Sequence, residues 1–500
     1  MISTYIFSSS NLIKAEDPSL SNNSIYKENL LDSNSSMDIS SSCNILDYIN
    51  ETEFYSNNYI HRITEQEALN TYVFHNIDGS QSTYVFDDNI KYVNEIGETI
   101  EKDLTLIAKD NGFTITKNDV NLFIPNNPND GIQLNYLGHI VTLTPLDIID
   151  GTNAEEQDNS VIYKGAFGTN TSIKYTPLLS GVKEDIIITE YIPDVNYRFS
   201  ISSNGLYLFC DTNGYYLAQS ESSEAIYRLG EVIIYDAIGK PSFGTMNIES
   251  VQPGTEYIIT ISADSSFLSD PSTVYPVTID PSLTVSDNTH NSNAIEDSPI
   301  FSGKPSQNFG SFVYNRSGTP SSDYGKGRTV IRLSGLLNTP EYQSISSEQN
   351  TNVSFFVKEA SGNATQQINL YPLTSNTTWT ENSVTWNNVG SYSTDANYGN
   401  SMTNGEWTSF DITNLVQSWK KGIFSANAGF IMINQNESND KCFFSSEYST
   451  SSLRPYVVIT YTSNTTRNSY YSRYDPSKFN NYGTTPEIGD FTNLIQYRMN

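Results

Sequence analysis

The chain has 500 residues, a formal charge of −29 and an isoelectric point near 4.3. Phosphate backbones and anionic lipid heads both call for a basic face, so this balance argues against nucleic acid and against electrostatic membrane adhesion. The length exceeds one ordinary core, and a composition 37% hydrophobic and 12% aromatic can fill two or three domains.

The start, MISTYIFSSSNLIKAED, has a short apolar patch from Tyr5 to Phe7 and a small residue, Ala15, before an acidic stretch. It reads as the back half of a secretory signal without its cationic front end, the other reading being a disordered cytosolic N-terminus. Ser, Asn and Asp dominate the stretch that follows, so residues 1–45 are expected to be a signal remnant and unstructured linker.

A β-rich domain is expected over residues 46–284. EQEALNTYVFHN opens it with one helical turn, and TYVFHNIDGSQSTYVFDD predicts a hairpin turning at Asp78-Gly79. Short runs rich in Val, Ile, Tyr and Thr follow, such as IQLNYLGHIVTLTPL, SVIYKGAF, EDIIITEYI and EYIITISADSSFL. They are broken by Asn, Asp, Gly or Pro and lack helical periodicity, which is an all-β pattern. The block closes at VYPVTIDPSL, whose prolines sit where only a strand edge or end tolerates them.

A second β block, 286–462, ends in the strand RPYVVITYT. Its one helical pattern is ITNLVQSWKKG, with Ile412, Leu415, Val416 and Trp419 on one stripe and Gly422 as the stop. This block carries ten Lys/Arg against fourteen Asp/Glu, so most of the negative charge lies elsewhere. The remainder, 463–500, is polar, Tyr-rich and turn-dense, and reads as a linker tail of a longer polypeptide. No run of about 18 apolar residues occurs, so no membrane span is expected.

Cys43, Cys210 and Cys442 are too far apart for a CxxC motif; one bridge or buried free thiols both fit. His61, His75, His139 and His290 stand alone, which argues against zinc. No cofactor is expected. The acidic side chains leave a structural Ca²⁺ open, although no D-x-[DN]-x-[DN]-G loop occurs.

Several motifs of the second block follow one another in order: IEDSPIFSG with Asp297, PSQNFGS with Asn308 and Gly310, then GRTVIRLSGL with Arg328 and Arg332. WTENSVTWNN, WTSFDITNLVQSWKKG, NAGFIMIN and FFSSEYSTSSLRPYVVITY complete the series. Together they resemble the DNRLRE domain, which is similar to carbohydrate-binding module family 96. Leu333 departs from the aromatic residue usual after the second arginine. The resemblance implies a jelly-roll β-sandwich that binds a polysaccharide or cell-wall glycan. Upstream, SVIYKGAFGTNTSIKYTPLLSGVKEDIII and VYPVTIDPS resemble the region preceding such modules in wall-associated and RHS/YD-repeat surface proteins of Gram-positive bacteria. That implies an extracellular, wall-proximal setting. YD repeats are absent, so a toxin-delivery role is not implied.

All four tryptophans fall between Trp379 and Trp419. Trp386 sits in SVTW, read as an alternating strand after a turn at Glu381-Asn382, and Trp419 lies on the helical stripe. Both are expected in the module core, with Asp411 and Arg454 as its structural polar residues. Trp379 and Trp407 lie beside polar neighbours at strand starts and are the candidate sugar-stacking rings. Tyr324 and Tyr398, with Tyr314 and Tyr392, are alternative platforms in Gly/Ser/Asn-rich loops. Arg328 and Arg332 share one strand face and suit a carboxylated sugar, or equally an internal network with Asp411 and Glu447. No nucleophile elbow or singled-out carboxylate pair appears, so no catalytic residue is assigned. The expected function is non-catalytic glycan binding or adhesion. A structural stalk displaying a further effector is the alternative, and a polysaccharide lyase or hydrolase the more remote one.

Overall fold

In the computed structural model, residues 59–211, 214–286, 294–344, 351–362 and 364–462 are described. The signal remnant and linker expected over 1–45, the tail over 463–500, and Cys43 and His290 lie outside them. The protein is all-β, and every strand pairing among the described residues is antiparallel.

Two sandwiches make up the molecule. In the N-terminal one, an eight-stranded sheet runs in the order Thr245–Gln252, Glu256–Ser262, Asn196–Ser203, His139–Pro145, Ile132–Tyr136, Asn121–Pro125, Gly112–Thr114, Ile107–Lys109. An eleven-stranded sheet built around the long hairpin Thr171–Leu178 and Gly181–Ile188 faces it. Alternation along each strand sends Val141, Leu143, Ile173, Tyr175, Phe199, Ile259 and Ile279 into one shared core.

The C-terminal sandwich encloses a second core. Val353, Phe355 and Val357 of strand Thr351–Gly362 meet Ile331, Leu370, Phe430 and Met432 from the opposite layer. Helix Thr413–Lys420 closes one end of this core with Leu415, Val416 and Trp419, and Gly422 follows at a φ of 68°. The expected hairpin is present as Thr71–Asn76 and Gln81–Phe86, with Gly79 at a φ of 82°. Before it, a single 3₁₀ turn covers Thr64–Gln66.

The hairpin does not join the N-terminal sandwich that follows it in sequence. Strand Gln81–Phe86 pairs along its whole length with Tyr456–Tyr461, the last described strand, so it extends the C-terminal sheet. The outer face of that pairing buries Tyr59, Phe74, Tyr84, Phe356 and Tyr456; the Phe356 and Tyr456 rings lie 4.7 Å apart and nearly parallel. A division of the chain at 284 therefore separates strands that belong to one sheet.

The two sandwiches meet through an aromatic seam. Ile233 and Tyr235 pack against Phe301, Phe309, Phe312 and Tyr324. The Tyr235 hydroxyl accepts from the Val313 amide at 3.1 Å, and the Arg316 guanidinium donates to the Gly239 carbonyl at 2.7 Å. Cys442 is buried and Cys210 exposed; both are free thiols. No helix among the described residues is long and apolar enough to cross a membrane.

Candidate functional site

Strand Gly325–Arg332 presents Ile331 to the sandwich core and Val330 to the opposite face. Arg328 and Arg332 share the face of Val330 because side chains two residues apart point the same way. The loop between strands Gln366–Pro372 and Asn400–Met402 folds over this face. Its Leu373, Trp379 and Val384 pack with Ile300, Val330, Ile431 and Ile433 as a small core of their own.

SVTW is not a strand. Residues 381–383 and 386–388 form two turns held by short polar side chains. The Asn388 carboxamide accepts from the Thr385 amide at 2.7 Å and donates to the Ser383 carbonyl at 2.8 Å. Asn308, from PSQNFGS, donates to the carbonyls of Glu381 and Val384, each at 2.7 Å. The abundance of Asn, Ser and Thr in NTTWTENSVTWNN is the sequence signal for such turns.

This loop places its two tryptophans differently from the sequence expectation. Trp379 is 2% exposed, and its indole N–H donates to the Ala428 carbonyl at 2.9 Å. The Arg332 guanidinium lies 4.7 Å from that ring and is bound by both oxygens of Glu296. Trp386, expected in the core, is half-buried at the edge of the small core.

Beside Trp386 runs a strip of half-exposed side chains. The Arg328 guanidinium stands 4.8 Å from the Trp386 ring and 5.7 Å from Tyr392, and Tyr392 stacks on Tyr371 at 5.7 Å with 22° between planes. Arg328 Nε donates to Glu437 at 2.9 Å, and Lys326 reaches the other oxygen of that carboxylate at 2.9 Å. Burial would raise the Glu437 pKa, but these two donors outweigh it and hold the carboxyl below its ordinary value. The two terminal nitrogens of Arg328 make no hydrogen bond among the described residues, whereas Arg332 is fully engaged by Glu296 and the Asn427 carbonyl. The acidic partners are thus Glu437 and Glu296, in place of the expected Asp411 and Glu447.

The other expected residues are dispersed. Trp407 begins strand Trp407–Asp411 and packs edge-on against Tyr456 at 5.2 Å, half-buried. Tyr324 is buried in the aromatic seam, where its hydroxyl donates to the Pro241 carbonyl at 2.8 Å. It walls a cleft of about 350 Å³ between the sandwiches, whose charges pair as Lys240 with Asp270 and Lys304 with Asp323. Tyr398 is half-buried against the main core, and Tyr314 packs on Tyr235 and Tyr448. Trp419 is buried as expected. Asp411, expected in the core, is exposed and accepts from the Thr413 amide at 3.0 Å, at the start of the helix. Half-buried Arg454 donates to the Tyr448 carbonyl and to Asp88, both at 2.6 Å.

Residues 288–461 match the family model of carbohydrate-binding module family 96. Over 345 residues the chain is 24% identical to the tRNA3(Ser)-specific nuclease WapA of Bacillus spizizenii. It is equally 24% identical over 344 residues to the tRNA nuclease WapA of Bacillus subtilis. Each match takes in 64% of this chain, and the chain spans only 14% of the length of these relatives. Among solved structures, the N-terminal CBM22-1-CBM22-2 tandem domain of Paenibacillus barcinonensis Xyn10C aligns at 12% identity. The alignment covers 69% of this chain and 98% of that one, but with a TM-score of 0.13 it carries no argument about the fold.

Proposed function

We propose that the C-terminal sandwich binds a polysaccharide at the cell surface, without cleaving it, along the strip Trp386–Arg328–Tyr392–Tyr371. The observation that carries this reading is the half-exposed aromatic strip with an uncommitted guanidinium fork, on the segment that matches a carbohydrate-binding family. An aromatic face takes the C–H groups of a pyranose, while the fork suits the carboxylate of a uronic acid. The arginine favours acidic over neutral glycans, and the modest charge of this segment offers them less repulsion than the rest of the chain. An extracellular or wall-associated location fits this role.

A titration of intrinsic tryptophan fluorescence in the whole chain, with polyuronates and neutral polymers, tests the proposal. A saturable shift with a polyuronate is expected, weakened at least about ten-fold by Trp386→Ala. Arg328→Lys is expected to reduce the preference for the acidic polymer, because a lysine lacks the planar fork. Silence with every polymer would sink the reading. It would favour a stalk that positions a further domain, a reading supported by the small share of the relatives' length that this chain spans.

A further inference from the structure

Three of the ordered sequence motifs converge on one buried place that the glycan strip does not use. Asp297 of strand Glu296–Phe301 has no exposed surface, and its amide donates to a Glu381 carboxylate oxygen at 2.8 Å. Its Oδ2 accepts from the Ser446 amide at 3.1 Å, and the Ser446 hydroxyl bonds Glu447 at 3.0 Å. Asp297, Glu381 and Glu447 each bring an oxygen within 4.8 Å of the others. Asn308 and Gly310 fix this arrangement: Asn308 holds the Glu381 carbonyl, and a Cβ on Gly310 would stand 2.3 Å from that oxygen.

A second observation points to a ligand. Asn315, on strand Tyr314–Ser321, has no exposed surface, yet its amide oxygen has no hydrogen-bond partner. The amide nitrogen of the same side chain lies against the Asp297 carboxyl. Asp297 Oδ1 and Glu447 Oε2 are likewise buried without partners. Unpartnered buried acceptors are costly unless something meets them.

The charge points the same way. Asp87, whose carboxylate accepts from the Ile295 amide at 3.0 Å, adds a fourth acid to the neighbourhood. The guanidinium that bears on the group, Arg454, is bonded to Asp88 and to the Tyr448 carbonyl. The fold gathers more negative charge here than its own cations offset.

We propose that Asp297, Glu381 and Glu447, with the amide oxygen of Asn315, hold a calcium ion. An all-oxygen donor set without imidazole or thiolate selects a hard cation. Calcium accepts such a cage of protein oxygens, whereas magnesium keeps several of its waters. The ion ties together strand Glu296–Phe301, strand Tyr314–Ser321, the segment after Lys441–Phe444 and the loop carrying both tryptophans. Ion binding stands independently of the glycan reading; only its role in presenting Trp386 rests on that reading.

The test uses the whole chain, stripped with a chelator and dialysed against CaCl₂. One tightly bound calcium per chain by elemental analysis, and an unfolding temperature that rises with calcium, are expected. Glu381→Gln should weaken calcium binding at least about ten-fold and flatten that rise, while Glu249→Gln, at an exposed acid of the N-terminal sandwich, leaves both unchanged. Asn315→Asp, which adds a fourth carboxylate, should steepen the dependence on calcium, a gain that a misfolded variant could not produce. A wild-type chain that retains no calcium, or Glu381→Gln binding as tightly as wild type, overturns the site. Polysaccharide binding unaffected by the chelator, together with no bound calcium, removes the ion and leaves the glycan reading. Calcium bound without any polysaccharide binding does the reverse.

Discussion

Glu184 lies in strand Gly181–Ile188 of the N-terminal sandwich, 1% exposed and opposite Tyr175 in the register. Burial pushes its carboxyl well above the ordinary value of 4.5; the Tyr175 hydroxyl opposes the rise, and Asp280 and Asp185 add to it. The folded protein therefore keeps a proton that the unfolded chain releases above 4.5. The stability this group contributes is complete below that pH and is lost as pH rises toward the folded value, by about 1.4 kcal/mol per pH unit. Glu184→Gln stays neutral at every pH. Denaturant unfolding should find the variant near wild type at pH 4 and more stable than wild type by at least about 1 kcal/mol at pH 8. Equal stability of the two at pH 8 would refute the buried-proton account. Such a residue is not legible in the sequence, where KEDIIITEY shows a glutamate among charges and gives no sign of which one faces inward.

At the scale of elements, legibility followed periodicity. The helix of ITNLVQSWKKG and the hairpin around Asp78-Gly79 were readable because spacing and a glycine stop agree. SVTW misled because two apolar residues in alternation suffice for a strand pattern, yet the surrounding Asn and Ser side chains satisfy the backbone locally. That one reversal exchanged the environments of Trp379 and Trp386. Of the site, the arginine pair and the tryptophan window were visible, but their carboxylate partners were not, since Glu296 and Glu437 come from segments that pattern alone does not align. The latch on the loop is Asn308, whose carboxamide serves two loop carbonyls. Asn308→Ala leaves both without that donor, so thermal unfolding should show a loss of about 1–3 kcal/mol and a looser Trp386 environment in near-ultraviolet dichroism. An unchanged melting curve would mean that the loop holds itself.

The whole molecule departs furthest from what local patterns convey. Composition and strand punctuation gave the all-β class, but no local signal announces that Gln81–Phe86 pairs with Tyr456–Tyr461. The aromatic seam through Tyr235 and Phe312 further binds the sandwiches into one body. A fragment of residues 286–462 would therefore carry an unpaired strand edge and an uncovered face at Phe356 and Tyr456. Sedimentation should show that fragment associating, whereas residues 59–462 stay dispersed. A dispersed, cooperatively melting fragment would show that the hairpin is dispensable.

That closing strand pair also sets an order of events. The hairpin is made early, yet its partner edge exists only once nearly all the described chain has left the ribosome. Until then, Tyr84 and Phe86 have no seat on Tyr456–Tyr461. The fold is thus completed from its two ends, like a clasp whose halves are forged at opposite times. Cut within an exposed connection, the two pieces would still carry complementary edges through which to find each other, the chemistry of a self-assembling split protein.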